Sequence, residues 1–224
     1  INNREWTIYP DGTVVCQSVL LPRGNPLELL RLGYELQLPA NMGNVTYYGR
    51  GPEENYADRK SGMPLGVYKT TARDSFFPCG RPQDCGNHED TRWVAVTDDK
   101  GQGLLFGSVG APFAFSAIPY TTTDLILANH PVELPKTTDK TVLVLSSATR
   151  GLGGASCGPG PMSRDIIKAN KPYPLSFFMR PVTSKSYKGE IRVPAAQLDM
   201  TMLTRTDKYT VKSVTSQEQG EADA

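Results

Sequence analysis

Acidic side chains are the groups in this sequence with most potential for chemistry, because two carboxyl groups can act together as general acid and base. The candidates are Glu53, Glu54, Asp84, Glu89, Asp90 and Glu133. In enzymes that hydrolyse sugars with such a pair, the carboxyl groups stand about 5–5.5 Å apart for retention or about 6.5–9.5 Å apart for inversion. No spacing in the sequence brings two of the candidates to either separation. We therefore predict no catalytic residue in this chain.

Two cysteines and a histidine form the only cluster that suggests a metal site. Cys79, Cys85 and His88 follow one another at short intervals. The intervals match no zinc pattern and a fourth ligand is not evident, so we predict no metal site. The two thiols could pair as a disulfide or stay free, and spacing does not decide between these states. We interpret His88 and His130 as polar loop residues.

The most distinctive stretch runs from Tyr48 to Lys60 with the sequence YGRGPEENYADRK. It lacks the Lys-Ser/Thr ending of a phosphate-binding loop. One interpretation is a polar loop that contacts a sugar or a neighbouring domain. The other is a loop that braces itself through arginine–carboxylate bonds. The residues that we predict to serve this loop or an interface are Arg50, Glu54, Asn55, Asp58 and Arg59.

The elements that position these candidate side chains are short segments rich in strand-forming residues, separated by Gly and Pro. The predicted strands are 5–9, 13–20, 30–38, 44–48, 93–97, 103–108, 113–118, 141–147 and 174–180. Alternation from Leu30 to Leu38 indicates a strand with one face in a core. The one predicted helix spans Thr123 to Ala128, with Thr122 or Thr123 as its N-cap and Pro131 ending it. An all-β, mainly antiparallel two-sheet sandwich buries one face of each strand.

Long polar stretches connect and follow these elements. Residues 49–66 form a loop long enough to have a function, and residues 151–161 form a glycine-rich surface loop. After Pro181 the composition changes. We predict one strand from Leu198 to Leu203 and a flexible tail over residues 213–224.

Charge and hydropathy narrow the function classes. The 24 Lys and Arg residues balance 23 Asp and Glu residues, which argues against nucleic-acid binding. The longest apolar runs fall far short of the ~20 residues that span a bilayer, so we expect no membrane partner. The chain opens on Ile1 with a strand-like segment, and we expect its natural N-terminus to be missing.

Several motifs occur in an order that identifies a family. They are YGRGPEENYADRK (48–60), FP (77–78), RPQDCGN (81–87), TRW (91–93), FAFSA (113–117), HPVELP (130–135), GLGG (151–154) and SCGP (156–159). In this order they resemble the C-terminal small-chain domain, or domain 5, of glycoside hydrolase family 2 β-galactosidases. The resemblance covers roughly residues 1–181.

This resemblance implies a non-catalytic module of an enzyme that hydrolyses terminal β-D-galactosides. In that family a separate TIM-barrel domain carries both catalytic glutamates, and the sandwich packs on it. The sandwich also lends one loop to the sugar site, which here corresponds to Ser156 and Cys157. Well-known members have a tryptophan platform at the position of Cys157, and a cysteine cannot stack on a sugar face in that way. We expect no cofactor in this chain.

The resemblance also implies a galactose mutarotase-like supersandwich over residues 1–182, with residues 183–224 as a partly flexible C-terminal extension. The first strands of the family domain are expected to be missing. An exposed sheet edge would then favour strand pairing or a homo-oligomer. The compartment would be the bacterial cytoplasm or periplasm.

A stand-alone carbohydrate-binding or mutarotase-like protein is the alternative. Mutarotation needs an acid and a base across the sugar ring. The pairs that could supply them are His88 with Asp90 and His130 with Glu133.

Overall fold

Two antiparallel β-sheets make up almost all of the structure. The computed structural model describes residues 1–24, 29–154 and 157–183, together with the backbone of 209–214. The strands are β1 (Asn2–Ile8), β2 (Val14–Leu20), β3 (Arg31–Pro39), β4 (Asn44–Arg50), β5 (Leu65–Thr71), β6 (His88–Thr91), β7 (Trp93–Thr97), β8 (Gly103–Ser108), β9 (Phe113–Ile118), β10 (Lys140–Thr149), β11 (Tyr173–Val182) and β12 (Tyr209–Val214).

The larger sheet has eight strands in the order β12-β1-β2-β11-β8-β7-β4-β5, and the smaller has four in the order β3-β10-β9-β6. All neighbouring strands are antiparallel. The prediction of an all-β antiparallel sandwich is therefore confirmed. β2, from the start of the chain, lies against β11, from its later part, so the larger sheet joins segments that are far apart in sequence.

Aromatic and aliphatic side chains from both sheets meet between them. Tyr47 and Phe106 of the larger sheet belong to the same buried cluster as Phe115, Leu143 and Leu145 of the smaller one. The rings of Tyr47 and Phe115 meet with centroids 5.0 Å apart. Burying an apolar side chain of this size contributes about 1.5–3 kcal/mol, so this layer is the main stabilising contact between the sheets.

The larger sheet also carries apolar side chains on its other face. Trp93, Leu105 and Phe178 form a second buried cluster there. Successive residues of a strand point to opposite faces, so Val94 joins the core between the sheets while Trp93 joins the outer cluster. This explains why all five residues of β7 are buried.

The predicted strands correspond to observed ones with shifts of a few residues at their ends. In β3, Leu32, Tyr34, Leu36 and Leu38 are turned inward while the residues between them are exposed, as the alternation predicted. Leu30, the first residue of the predicted alternation, precedes β3 and is exposed. Three strands were not predicted: β5, β6 and β12. β5 is an edge strand with the exposed apolar residues Leu65 and Val67, and β6 has the sequence HEDT, with no apolar residue.

The C-terminal predictions meet the structure only in part. β12 pairs with β1 along Tyr209–Val214, so residues 213 and 214 belong to a strand and not to the predicted flexible tail. The predicted strand from Leu198 to Leu203 and the rest of the tail lie outside the described residues.

One short helix, α1 (Thr122–Leu127), follows β9. Its N-cap is Thr121, one residue before the predicted cap. The Thr121 hydroxyl accepts from the N–H of Asp124, and the Asp124 carboxylate accepts from the N–H of Thr121, which completes a capping box. The helix ends at Leu127, before the proline that was predicted to stop it, and a turn of 3-10 helix begins at that proline, Pro131–Glu133. Within the described ranges, no helix is long and apolar enough to cross a membrane.

We expect Gly107→Ala to destabilise the sandwich. Gly107 lies in β8 between Trp93 and Phe178, and a methyl group there would lie 2.1 Å from Cε1 of the buried Phe178 ring. Overpacking of this kind costs about 1–3 kcal/mol, which a guanidinium unfolding curve would measure. Gly80→Ala is the matched control, because nothing lies within 4 Å of a methyl group at that exposed position. Equal stability of the two variants would contradict the close packing at Gly107.

Candidate functional site

The predicted site residues that the structure describes lie at the end of β4 and on two neighbouring loops. The charged loop, residues 51–64, joins β4 to β5. The glycine loop, residues 151–161, follows β10, and its residues 155 and 156 are not described. Hydrogen bonds that the N–H groups of Leu152 and Gly153 donate to the charged loop hold the two loops together. The loops are therefore one structural unit.

Arg50, at the end of β4, closes the charged loop. Its Nε donates to Asp90 Oδ2 at 2.5 Å, and its Nη1 donates to the carbonyls of Lys60 at 3.1 Å and Met63 at 2.9 Å. Lys60 adds a bond to Asp90 Oδ1 at 3.1 Å. Burial raises the pKa of Asp90, but the hydrogen bonds from Arg50 and Lys60 outweigh this effect and hold it below its ordinary value. Asp90 is thus an ionised brace for the loop.

Asn55 is fully buried at the centre of the charged loop. Its Nδ2 donates to the carbonyls of Arg50 at 3.1 Å and Glu53 at 3.0 Å, and its Oδ1 accepts from the N–H of Glu89 at 2.8 Å. Its backbone N–H donates to the carbonyl of Asn87, whose Nδ2 donates back to the carbonyl of Asn55, both at 2.7 Å. The amide group therefore attaches the loop to the start of β6.

Glu54 is turned toward the segment before β6. Its Oε2 accepts from the N–H of Gly86 at 2.7 Å and from the hydroxyl of Tyr56 at 3.3 Å. Burial, followed by the nearby Glu54 carboxylate, raises the pKa of Tyr56, so its phenol stays protonated and donates this bond. Among the predicted loop residues, Arg50, Glu54 and Asn55 all attach the charged loop to β6 or to the segment before it.

Asp58 and Arg59 reach the glycine loop. The Asp58 carboxylate accepts from the N–H of Leu152 at 3.0 Å and from the N–H of Gly153 at 2.7 Å. The Arg59 guanidinium donates to the carbonyl of Gly153 at 2.6 Å. Cys157 is exposed four residues further on, and Ser156 lies outside the described residues.

Three further carboxylates that could have formed a catalytic pair, those of Asp84, Glu89 and Glu133, have partners within the chain. Asp84 pairs with Arg31 at 2.8 Å, and Glu89 accepts from Thr149 at 2.5 Å. Burial raises the pKa of Asp84, and the guanidinium of Arg31 opposes that shift. Glu133 accepts from the backbone of Asn129. These groups hold loops and strand ends together.

The interpretation of His88 as a loop residue is wrong. His88 lies in β6 and is 4% exposed, because β6 pairs with β9 and faces the core. Its Nδ1 is 3.0 Å from the Tyr47 hydroxyl and 3.1 Å from the Arg50 carbonyl, and its ring stacks on Phe115. Its side chain therefore binds Tyr47 and Arg50 and not Asp90, the partner it would need for acid–base chemistry.

His130 is exposed, as predicted, and its Nδ1 is 2.9 Å from a carboxylate oxygen of Glu133. His130 is the N-cap of the 3-10 turn and Glu133 is its last residue, so this pair spans the turn.

The thiols of Cys79 and Cys85 are free. Cys85 Sγ accepts from the N–H of Phe77 at 3.4 Å, and Cys79 Sγ accepts from Gln83 at 3.2 Å. Burial raises the pKa of Cys85 to about 11, which keeps the thiol protonated. Over the described part of the chain, no three His, Cys, Asp or Glu side chains come together as a metal site would require.

Sequence reasoning listed the charged groups but missed how they pair. The bonds of Arg50 to Asp90 and of Thr149 to Glu89 join residues 40 and 60 positions apart. The density of opposite charges around Arg50 was the available signal for bracing. The role of Thr149 had no local signal, because it arises only when β10 and β6 come to the same end of the sandwich.

Comparison with known proteins adds independent information. A family model described as the β-galactosidase small chain matches residues 2–179. The β-galactosidase BgaC of Bifidobacterium adolescentis is 42% identical over 147 residues, which is 64% of this chain and 14% of that protein. A β-galactosidase of Priestia megaterium is 33% identical over 179 residues, which is 79% of this chain and 17% of that protein.

A β-galactosidase small subunit of Latilactobacillus sakei is 39% identical over 159 residues, which is 66% of this chain and 49% of that protein. The chain thus spans less than a fifth of the first two relatives and about half of the small subunit.

We expect Asn55→Asp to destabilise the chain by about 2–4 kcal/mol at neutral pH, because a buried carboxylate would face the carbonyls of Arg50 and Glu53. Urea unfolding would measure the loss. It should shrink at pH 4, where a protonated carboxyl regains a donor. Asn41→Asp, at an exposed position, is the control. A loss no larger than that of the control would show that the buried amide does not hold the loop.

We expect His88 to make the chain less stable as the pH falls. Burial lowers the pKa of His88 to about 4, against a smaller opposing effect of its bond to the Arg50 carbonyl. A histidine in the unfolded chain has a pKa of about 6.5, so the unfolded state takes up a proton first. Stability is complete above pH 6.5 and falls by roughly 3 kcal/mol on acidification to pH 4.

His88→Gln should remove this part of the pH dependence, measured as unfolding free energy at several pH values between 4 and 7.5. The chain has two histidines, and His130→Gln is the matched control because its imidazole is exposed. An identical pH slope for His88→Gln and the unsubstituted chain would show that His88 is not the titrating group.

Proposed function

The chain belongs to the β-galactosidase small-chain family, and from this we propose that it is a supporting module of a β-galactosidase, not its catalytic part. In this proposal it packs on a separate catalytic barrel and lends the glycine loop to the galactoside site. The whole enzyme hydrolyses terminal β-D-galactosides. The single observation that carries the proposal is the family match over residues 2–179.

The coverage of the relatives supports a larger catalytic partner. The two longer relatives are named β-galactosidase, and this chain matches 14% and 17% of their lengths. The relative from Latilactobacillus sakei is named a small subunit, a name that implies a larger one. In this proposal the chain acts together with a catalytic part that is either joined to it or separate.

The use of the carboxylates supports a non-catalytic role. A glycosidase needs one carboxyl group to give a proton and another to attack or to activate water. Glu89 and Asp90 are occupied by Thr149, Arg50 and Lys60. A carboxylate that is held by internal cations is poorly suited to donate a proton near neutral pH.

Exposed apolar residues near α1 support packing on a partner. Ile126, Leu127 and Val132 are each more than two thirds exposed. A groove of about 610 Å³ lies beside Ile126 and is lined by Leu30 and Arg81 among others. Large apolar side chains that cluster in this way on a surface are typical of interaction sites.

The exposure of the glycine loop at Cys157 supports the proposal that this loop contributes to the sugar site. Its exposed Cys157 corresponds to the platform position of the family, but a thiol is too small to cover a sugar face. We propose that Cys157 and Ser156 line the site without stacking. The mutarotase-like alternative has less support, because His88 is buried against Phe115 and Tyr47.

We expect the isolated chain to show no hydrolysis of o-nitrophenyl β-galactoside. Activity should appear when it is mixed with a β-galactosidase from which the matched region has been removed, prepared from the Bifidobacterium and Priestia relatives. The truncated enzymes alone are the control. Hydrolysis by the chain alone would overturn the supporting role, and failure to restore either enzyme would overturn the association. Polarimetry of fresh galactose should show no acceleration by the chain.

A further inference from the structure

We propose that Asp58 and Arg59 are positioning residues that set where the glycine loop stands in the galactoside site, a role that rests on the function proposed above. Neither residue is proposed to contact the sugar. They act through the Leu152–Gly153 peptide unit and, through it, on Cys157.

The contact has two sides that together fix one short stretch of backbone. The Asp58 carboxylate accepts from two successive N–H groups, those of Leu152 and Gly153. The Arg59 guanidinium donates to the Gly153 carbonyl. All three bonds are charge-assisted, and such bonds are roughly twice as strong as neutral ones. Two N–H groups and one carbonyl of this stretch are thus held by two successive residues of the charged loop.

The glycine loop depends on an external support of this kind. It carries glycines at 151, 153, 154, 158 and 160, and glycine leaves the backbone more freedom than any other residue. Gly153 has a φ of +64°, which side-chain-bearing residues rarely adopt. The N–H groups of Gly151 and Gly154 bind the carbonyls of Asp165 and Pro159 on either side, and Asp58 and Arg59 hold Leu152 and Gly153 between these two anchors.

Gly151 is explained by the same contact. A methyl group there would lie 2.7 Å from Cγ of Asp58 and 2.9 Å from Cβ of Asp165. Glycine is therefore the residue that allows the carboxylate to approach the loop. The need for glycine at 151 and the presence of a carboxylate at 58 are two parts of one arrangement.

The charged loop that carries Asp58 and Arg59 is itself held in place by hydrogen bonds. Arg50 and Asn55 fix the charged loop to β4 and β6, and the N–H of Arg59 donates to the Tyr56 carbonyl at 2.8 Å. Burial raises the pKa of Asp58, but the bonds from Gly153 and Leu152 outweigh it and hold the pKa below its ordinary value. The carboxylate therefore stays ionised at neutral and mildly acidic pH.

A graded set of variants tests the proposal in the full chain. Asp58→Asn keeps one acceptor oxygen, and Asp58→Ala keeps none. Gly151→Ala leaves Asp58 intact but displaces its carboxylate. Asp139→Asn is the control, because Asp139 is exposed and precedes β10, while the glycine loop follows the other end of that strand, about 30 Å away.

The first measurement is amide hydrogen exchange in the isolated full chain. The N–H groups of Leu152 and Gly153 should exchange at least about tenfold faster in Asp58→Ala, with an intermediate effect in Asp58→Asn. The N–H of Leu143 in β10 serves as an internal reference and should not change. Unchanged exchange at Leu152 and Gly153 in Asp58→Ala would overturn the proposal.

The second measurement is KM and kcat for o-nitrophenyl β-galactoside in the enzyme reconstituted with each variant. A loop that is out of position should raise KM about three- to tenfold in Asp58→Ala and in Gly151→Ala. A loss of folded protein alone would lower the apparent kcat and leave KM unchanged. Asp139→Asn should match the unsubstituted chain.

The two possible failures are distinguishable. If the unsubstituted chain restores no activity, the proposed function fails and this role fails with it. If it restores activity and Asp58→Ala has the same KM, the positioning role alone is overturned.

Discussion

The arrangement of both loops depends on the buried amide of Asn55. An amide can be buried at little cost only when its donors and acceptor all find partners. Asn55 binds the carbonyl of Arg50 at the end of β4, the carbonyl of Glu53 in its own loop and the N–H of Glu89 in β6. The loop thereby gains the kind of bonds that a strand would make without becoming one. Over the described residues, no buried side-chain nitrogen or oxygen lacks a partner. A polar network that is satisfied in this way is rigid, and the charged loop can transmit that rigidity to the glycine loop.

Much of the fold could be predicted from the sequence, because apolar alternation and turn residues are local signals. Leu32, Tyr34, Leu36 and Leu38 face the core as their spacing requires. β6 could not be predicted, since HEDT has no apolar residue and forms a strand only because β9 lies beside it. The burial of His88 follows from the same cause. Local patterns report propensity, whereas pairing between distant segments is decided by the whole sheet.

In the candidate site, too, some features could be predicted from local sequence signals and others depend on contacts between distant segments. The residue types of the charged loop indicated bracing by opposite charges, and Arg50 with Asp90 is such a pair. The partners of Asp58 were not predictable, because backbone N–H groups leave no trace in a sequence and residues 152 and 153 lie 94 and 95 positions away. The glycines of the second loop indicated a surface loop. The structure adds the reason for the glycine at 151, because a methyl group there would collide with the Asp58 carboxylate.

The pairing of β2 with β11 has a consequence for how the chain acquires its structure. Ser18 donates to the carbonyl of Leu175 across 157 positions of sequence, and β11 also pairs with β8. In the larger sheet, β11 is the strand between β2 and β8, so these two parts of the sheet cannot join until residues 173–182 have been synthesised. Contacts of such long range make folding slow, because the entropy of closing a long loop is lost before the contacts form. During synthesis, the apolar face of β2 stays uncovered by β11 while residues 21–172 are made, and apolar surface that is exposed in this way makes a partly folded chain prone to aggregate.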